Sequence, residues 1–583
     1  MSFSDSVSTP ARLTAIATVK LPRLFLLGVG LIYILAGLFF RDPWKTDDVV
    51  GLAAMLTTLN EGGKTWLLPQ IGTLAHAQDG PLTTWVGAIC IWAFGPFIEI
   101  FTHDRLNAAI IASRLPNFIW FGLTTASVWY GTYLLGRRPE PQPLALPFGG
   151  EPTVQDYGRM IADAALMLLV ATVGIVWRMH ETSEVPAIIA FQALAFYSVA
   201  RMMDHPASGS VTLGLALAAA FLARGWIGAL PIMLAIPFIF TPRSPLWQQK
   251  KWLLISVVLC TLLILLWWIP ARREGAYWTQ AWLLWNSSSF TWPHYKETLS
   301  TLRDLPWFLW PTWPLALVAI WQWRNWLSAP HIRIPLMFAL WALVVMLCLY
   351  EAFEPEYALM AIPSAVLAAF ALPTLRRGIV NSLDWFAVMC YTLTSATVWL
   401  GWIALQTGWP EKISHNIARQ TRGYDVFISW PAVFIAVAGT LAWLALVRWR
   451  LHSKPAGLWR GTVLSAAGLI VTWLLLVTLW MPALDYVRSY RTVSGQLAQV
   501  LHDNLQPGQC VRAHGVGSGQ RASFLVFNGI NFSYNAHCDF VLQQTNPDSV
   551  RKGTAAYSDT GTVIWIGKRG ADRHEVFRLI KLH

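Results

Sequence analysis

The chain has 583 residues, of which 55% are hydrophobic and 13% charged, with a mean hydropathy of +0.46 and a formal net charge of +12. Soluble domains carry about a quarter charged residues, so this balance excludes an ordinary soluble protein and indicates a membrane protein. The excess of Lys and Arg points to cytoplasmic loops and to membrane lipids as partners. No nucleic-acid partner is expected, because the sequence contains no basic run or known binding motif.

The first apolar stretch, 24–40, follows Arg12, Lys20 and Arg23 and has no small-residue cleavage site after it, which predicts a retained first helix. Further stretches long enough, or nearly long enough, to cross a bilayer recur along the chain. They are 82–101, 107–135, 160–178, 185–203, 210–223, 225–240, 252–270, 306–322, 334–350, 357–375, 383–407, 426–449 and 461–481. The pattern predicts a polytopic α-helical membrane protein.

Basic loops orient such stretches, because Lys and Arg collect on the cytoplasmic side. Four basic segments are separated from one another by two stretches each, so all four should face the cytoplasm: 243–251, 324–333, 376–377 and 448–460. If every stretch crosses the membrane, counting back from these four segments places the N-terminus outside. The basic residues Arg12, Lys20 and Arg23 instead place it in the cytoplasm. One stretch within 82–135 therefore should not span, which leaves about thirteen helices and does not tell which stretch fails.

This topology collects several polar segments on one external face. They are the first external loop 41–81, expected to hold interfacial helices, the loops 178–184, 271–305 and 351–356, and Arg224. The transmembrane module is predicted to cover 1–484.

The segment 485–583 is polar and of domain size, which predicts a small α/β domain outside the cytoplasm. A helix is expected at 486–505, followed by β-type runs at 510–513 and 562–566. Cys510 and Cys538 lie in this segment, and we expect them to form a disulfide in an oxidising compartment. The other four Cys lie in apolar stretches and are expected to be packing residues.

The segment 41–48 (RDPWKTDD) follows the first helix and ends in Asp47 and Asp48. It is either a solvated loop or the source of a carboxylate that deprotonates an acceptor or holds a metal ion. Arg224 separates two short apolar stretches, where arginine is costly unless it faces water, a phosphate or a carboxylate. Arg272 and Arg273 open an aromatic-rich loop that either clamps a lipid phosphate or is a solvated connection.

Taken in chain order, the motifs resemble those of the GT-C membrane glycosyltransferases. The nearest branch is that of the aminoarabinose transferases of lipid A modification, which are related to protein O-mannosyltransferases. The matching segments are Asp47-Asp48, 79–85 (DGPLTTW), 114–116 (RLP), Arg178 with 184–186 (EVP), 222–225 (LARG), 355–363 (PEYALMAIP), and Pro482 with 488–491 (RSYR). Asp79 stands where the family often has a phosphate-facing Lys, and Glu354 or Glu356 stands where a Lys is common.

The resemblance implies transfer of a sugar from a polyprenyl-phosphate-linked donor to a lipid A, glycan or protein acceptor. It implies a bacterial inner (plasma) membrane protein with a cytoplasmic N-terminus and a periplasmic C-terminal domain. Asp47 or Asp48 would be the catalytic carboxylate, supported by Glu184. The donor and its phosphate would be bound by Asp79, Arg114, Arg224, Arg272, Arg273 and Tyr357. A divalent metal is a candidate cofactor, with Asp48, Glu181 and Glu184 as its ligands.

Two other functions are compatible with the same topology. A transporter or flippase of lipid-linked sugars would need no chemistry, but the sequence shows no mirrored halves and its ionisable candidates lie at one surface. A degenerate relative could bind a lipid-linked glycan as a non-catalytic assembly scaffold, an alternative that the Asp at position 79 keeps open.

Overall fold

The computed structural model describes residues 8–45, 47–145, 147, 149–453, 457–535, 537–551, 561–570, 572 and 574–582. Part of the predicted basic segment 448–460, residues 454–456, lies outside these ranges. The described chain is mostly helical, and its largest hydrophobic core joins helices from the whole length of the first 480 residues.

The helices up to the middle of the chain include those of the predicted apolar stretches, together with three that lie wholly or mostly in the predicted external loops 41–81 and 271–305. They are α1 (Arg23–Leu35), α2 (Asp47–Glu61), α3 (Leu82–Thr102), α4 (Arg105–Ser113), α5 (Pro116–Gly136), α6 (Val154–Val170), α7 (Val173–Arg178), α8 (Val185–Met202), α9 (Pro206–Ile239), α10 (Leu253–Glu274), α11 (Ala276–Ser288) and α12 (Tyr295–Phe308). A 3-10 helix, Pro245–Trp252, precedes α10.

The remaining helices complete the bundle and enter the C-terminal part. They are α13 (Thr312–Gln322), α14 (Pro330–Leu347), α15 (Glu354–Tyr357), α16 (Ala361–Ala371), α17 (Arg377–Thr407), α18 (Glu411–Gln420), α19 (Trp430–Ser453), α20 (Arg460–Leu475), α21 (Met481–Arg488), α22 (Arg491–Asn504), α23 (Ser518–Asn528) and α24 (Pro547–Arg551).

Nine helical segments of the described chain are long and apolar enough to cross a bilayer, which confirms the prediction of a polytopic membrane protein. The predicted stretches 210–223 and 225–240 correspond to the two helical parts of α9, which meet at the non-helical residues Arg224 and Gly225. Of the other predicted spans, 24–40 corresponds to α1, which ends at Leu35, and 306–322 is divided between α12 and α13 by a break at 309–311. The count of thirteen crossings stays a prediction.

The kink in α9 depends on a glycine. Gly225 has φ +57° and ψ −138°, a backbone conformation that residues with a Cβ rarely adopt, and Arg224 also leaves helical geometry. A Cβ at position 225 would lie about 2.9 Å from the ring of Trp282. The kink turns the Arg224 side chain out of the helix and toward the loops at one end of the bundle.

The chain from Arg491 onward, here called the C-terminal unit, has its own core and a mixed sheet. Its strands are β3 (Val511–His514), β4 (Phe540–Thr545), β5 (Gly561–Gly567) and β6 (Val576–Leu582), in the order β3-β4-β6-β5. β1 (Gln70–Ile71) and β2 (Leu74–Ala75) form a separate small hairpin in the loop 41–81. Strands β3 and β4 are parallel and the other pairs antiparallel, so α23 crosses over between two neighbouring strands.

The C-terminal unit is docked against α2 and the loops beside it. Arg491 donates to Asp42 at 2.6 Å, and Lys45 donates to Glu575 at 2.6 Å. Ala522 and Val526 of α23 share a hydrophobic cluster with apolar side chains of α2. The unit therefore covers the end of the bundle at which α2 begins.

A disulfide joins Cys510 to Cys538 across 28 positions of the sequence. We expect replacement of Cys510 by serine to destabilise the C-terminal unit by about 3 kcal/mol, because opening a loop of this length restores conformational freedom to the unfolded chain. The measurement is the unfolding temperature of the C-terminal unit, monitored during heating by limited proteolysis of that unit. Serine at the free Cys90 is the control, and equal unfolding temperatures for the two variants would contradict the prediction.

Candidate active site

The first turn of α2 carries two adjacent acidic residues with different surroundings. Asp48 is 2% exposed, and its Oδ2 accepts hydrogen bonds from Arg41 at 2.6 Å and Arg114 at 3.2 Å. Its Oδ1 accepts the backbone N–H of Thr182 at 2.7 Å. Burial raises the pKa of Asp48, but Arg41, Arg114 and the Thr182 N–H outweigh it and leave this pKa below its usual range. Both oxygens of Asp48 are therefore engaged, away from solvent.

Arg41 and Arg114 extend this buried network to the surrounding backbone. Arg41 also donates to the carbonyl of His180 at 2.7 Å, and Arg114 donates to the carbonyl of Leu38 at 3.1 Å. Neither guanidinium side chain is exposed. The predicted binding residue Arg114 thus lies behind Asp48, where it ties the end of the first apolar stretch to α2.

Asp47 is the more accessible of the pair, with 30% of its side chain exposed. Its Oδ2 accepts a hydrogen bond from Arg178 Nη1 at 3.2 Å. Arg178 also binds Glu181 at 2.9 Å and Glu354 at 2.9 Å. Asp47 therefore combines an accessible carboxylate with a fixed neighbouring cation.

Arg224 is the second cation of the site and is surrounded by three carboxylates. It donates to Asp79 at 3.3 Å, to Glu356 at 2.8 Å and to Glu184 in a closer contact. His76 lies 3.0 Å from the other oxygen of Asp79. Burial raises the pKa of Asp79, and the charges of Arg224 and His76 lower it below its usual range. The kink in α9 thus places an arginine where acidic groups from three other segments converge.

Two neighbouring cavities border these groups. The acidic cavity, of about 80 Å³, is lined by Asp47, His76, Asp79, Glu184, Arg224 and Ser518, among others. The tryptophan cavity, of about 380 Å³, is lined by Trp44, Lys45, Trp177, Arg178, Glu354 and Arg488, among others. Asp47 lines the first and its partner Arg178 lines the second, so the Asp47–Arg178 pair stands between them.

The acidic cavity unites residues from four distant segments and from the C-terminal unit. The sequence identified Asp47, Asp79, Glu184 and Arg224 as candidates, and these four line one cavity. His76 and Ser518 were missed. His76 lies three residues before Asp79, and Ser518 begins a helix after a glycine-rich turn, 514–519 (HGVGSG), so both had a weak local signal.

Three predicted binding residues lie elsewhere. Arg272 and Arg273 are exposed at the end of α10, outside the lining of either cavity, because α10 continues to Glu274 and carries them beyond the converging loops. Tyr357 is 4% exposed, donates to the carbonyl of Ala352 at 3.1 Å and packs on Phe308. Its neighbour Glu356 is the residue of that segment that binds Arg224.

The proposed metal ligands do not converge. Asp48 binds Arg41 and Arg114, Glu181 binds Arg178, and Glu184 binds Arg224. Among the residues that the structure describes, no three His, Cys, Asp or Glu side chains are grouped to hold a metal ion. Each of these carboxyl groups is paired with arginine side chains, so this set does not fit a divalent cation.

Glu181 supports Arg178 and lines the tryptophan cavity beside it. It is 5% exposed and accepts hydrogen bonds from Arg178 and from the Trp177 indole N–H. Burial raises its pKa to about 7, with Arg178 lowering it and the charges of Asp48 and Asp47 raising it further. A carboxyl with this pKa is partly protonated near neutral pH.

The raised pKa of Glu181 makes stability depend on pH. The folded protein keeps this proton up to about pH 7, whereas the unfolded chain loses it above about 4.5, so stability should fall as pH rises between these values. Glutamine at position 181 cannot titrate. We therefore expect the unfolding temperature of wild type, relative to Glu181→Gln, to fall between pH 5 and pH 7.5 in differential scanning fluorimetry at constant ionic strength. A difference that is constant or rises over this range would contradict the assignment.

Comparison with solved structures assigns the fold. The chain matches a crystal structure of ArnT from Cupriavidus metallidurans bound to undecaprenyl phosphate, with a TM-score of 0.65 and 13% identity over 95% of this chain and 97% of the other. It matches the apo form of the same protein with a TM-score of 0.65 and 14% identity over the same shares. No protein-family model matches the sequence, and no curated protein matches it significantly.

These matches confirm that the chain has the GT-C fold predicted from its motifs. More particularly, the fold is that of the aminoarabinose transferases, the branch that the motifs resemble. At 13–14% identity the likeness concerns the fold, and the chemistry must be argued from the residues of this chain.

Proposed function

We propose that the protein transfers a sugar from a polyprenyl-phosphate-linked donor to an acceptor at the periplasmic face of a bacterial inner membrane. The acceptor is a lipid such as lipid A, a glycan or a protein. The fold is shared with a transferase whose structure holds undecaprenyl phosphate. The single observation that carries the proposal is an accessible carboxylate, Asp47, held beside a cation between two cavities.

Asp47 is the general base in this proposal. Its carboxylate accepts the proton of an acceptor hydroxyl or phosphate, and the acceptor oxygen bonds to the anomeric carbon of the sugar. The bond between that carbon and the lipid phosphate breaks, and polyprenyl phosphate leaves with its electron pair. Asp48 cannot perform this step in the described arrangement because both its oxygens are engaged and buried.

Arg178 stabilises the charge that develops on the leaving phosphate. A fixed guanidinium in a poorly hydrated cleft lowers the barrier at the oxygen where negative charge grows. The pair of Arg178 with Glu354 can open for a phosphate, because the Glu354 side chain is 64% exposed and an exposed ion pair contributes about 1 kcal/mol or less. The tryptophan cavity adds Lys45, Arg488 and apolar walls, a combination suited to a phosphate on a polyprenyl chain.

Arg224 and its carboxylates orient the sugar in the acidic cavity. Hydroxyl groups of a sugar can donate to Asp79 and Glu184 and accept from the guanidinium. At about 80 Å³ the acidic cavity has little spare room, so a sugar would enter as the C-terminal unit shifts at Ser518. Specificity for the donor sugar would therefore depend on the contact between α23 and α2.

A non-catalytic scaffold is the second candidate, and one observation favours it. Asp79, which stands where the family often has a phosphate-facing Lys, lines the acidic cavity and is bound to Arg224, so an acid takes the place of a cation that would face a phosphate. A scaffold would bind the lipid-linked sugar and leave it intact.

Reconstitution separates these functions. Purified protein in sealed vesicles receives a polyprenyl phosphate carrying a radiolabelled sugar, together with membrane extract as acceptor. Transferase activity predicts label in an acceptor and release of polyprenyl phosphate. Binding with intact donor after long incubation would support the scaffold, and movement of intact donor across the bilayer would support a flippase.

A further inference from the structure

A third cavity, of about 1140 Å³, lies at the opposite end of the bundle from Asp47. The helical segment Glu354–Thr374 connects the two ends, because Glu356 binds Arg224, which lines the acidic cavity, and Thr374 lines the third cavity. Its 21 residues correspond to about 30 Å of helix. This cavity, here called the arginine cavity, is therefore separate from the proposed transferase site and does not depend on that proposal.

The walls of the arginine cavity are apolar. Leu315 and Val318 of α13 form one side, and Leu383, Ala387 and Tyr391 of α17 form the other. α13 packs closely on α16, and α17 packs closely on α20, so the space between these two helix pairs remains open.

The cavity opens sideways as well as at its end. Ile379 and Phe386 line it from α17 and are 49% and 50% exposed. In a chain that spans a bilayer, exposed apolar side chains at this level face lipid. An acyl chain can therefore enter between α13 and α17 from the membrane.

The end of the cavity is strongly basic. Four exposed arginines line it: Arg12, Arg324, Arg376 and Arg377. Among the residues that the structure describes, no carboxylate is bound to Arg376 or Arg377. The nearby acid Asp384 is already held by Arg450 at 2.8 Å and Arg460 at 2.9 Å, so it does not offset the charge of the four.

We propose that the arginine cavity binds one anionic glycerophospholipid from the leaflet at that end of the bundle. An acyl chain lies between α13 and α17, and the phosphate lies at Arg376 and Arg377. Guanidinium groups bind phosphate oxygens in bidentate geometry, and an apolar slot leading into the bilayer selects a phosphate that carries an acyl chain. The charge of the cavity matches an anionic headgroup, and its walls match a hydrocarbon tail.

The test compares unfolding temperatures in nanodiscs of phosphatidylcholine with and without phosphatidylglycerol. For the wild type, phosphatidylglycerol should raise the unfolding temperature by a few degrees, because a ligand that binds only the folded state stabilises it. Arg376→Gln with Arg377→Gln should lose at least half of this rise. Lys250→Gln with Lys251→Gln removes the same charge from the 3-10 helix before α10, at the same end of the bundle, and should keep the rise.

Native mass spectrometry gives an independent readout. Wild type should retain one phosphatidylglycerol molecule, and Ala387→Trp, which keeps all charges but fills the slot, should lose it. Retention of the lipid by both the arginine variant and Ala387→Trp would overturn the proposal. An equal rise in unfolding temperature with inorganic phosphate, or displacement of the lipid by added polyprenyl phosphate, would overturn the assignment to a glycerophospholipid.

Discussion

Replacing Asp47 with asparagine is expected to lower the rate of sugar transfer at least about 100-fold, the usual contribution of a positioned general base. The amide has nearly the shape of the carboxylate but cannot take up the proton that the hydroxyl or phosphate of the acceptor molecule must lose. Because Asp47 is 30% exposed and its pair with Arg178 is only one of three at that cation, folding should be little affected. We expect kcat to fall with little change in KM for the donor, measured with radiolabelled lipid-linked sugar in vesicles.

Glu354→Gln is the matched control for this variant. It also removes one carboxylate from Arg178, but from an exposed position, so transfer should change by less than about fivefold. If Asp47→Asn keeps full activity, the base is wrongly assigned. If both variants lose activity equally, the important property is the charge around Arg178 rather than a proton acceptor.

Asp48→Asn is expected to have a large effect of a different kind. Removing the charge of Asp48 leaves the fully buried guanidiniums of Arg41 and Arg114 without their shared anion, which should cost about 3–5 kcal/mol of folding stability. The variant should show a lower unfolding temperature and a smaller monodisperse fraction after purification. Transfer per folded molecule should fall far less than in Asp47→Asn.

A compensating substitution tests the mechanism of this destabilisation. Arg41→Met removes one of the two buried arginines that Asp48→Asn leaves without a carboxylate. The double variant Asp48→Asn, Arg41→Met should therefore lose less folding stability than the sum of the losses in the two single variants. If the losses of folding stability are additive, the side chains of Asp48 and Arg41 do not stabilise each other. An Asp48→Asn protein that unfolds like wild type but transfers no sugar would make Asp48 the base instead of Asp47.

The sequence predicts the membrane-spanning architecture well because hydropathy acts over whole helices. The GT-C fold followed from short motifs in a fixed order, and the comparison with solved structures confirms it. Asp79 and Arg224 came from different motifs about 145 positions apart, yet they lie 3.3 Å apart. The resemblance to the GT-C glycosyltransferases identified both residues as candidates. The periodicity of the apolar residues alone would not have indicated that they meet.

The sequence could not distinguish the roles of Asp47 and Asp48, because adjacent residues in the first turn of a helix point to different surroundings that only tertiary packing defines. It also assigned Arg272 and Arg273 to the site, since a basic pair after an apolar stretch looks the same whether the helix ends there or continues. In the C-terminal unit, β4 and β6 were missed. Strand pairing between segments more than thirty residues apart leaves little local signal.

A structure of the protein in a nanodisc with a non-transferable phosphonate analogue of a polyprenyl-linked sugar would show where the donor binds relative to Asp47. We expect the sugar in the acidic cavity and the phosphonate in the tryptophan cavity, with an Asp47 oxygen about 3–4 Å from the position that the acceptor oxygen must take. Sugar density outside both cavities, or an Asp47 side chain separated from the anomeric carbon by protein, would contradict this expectation.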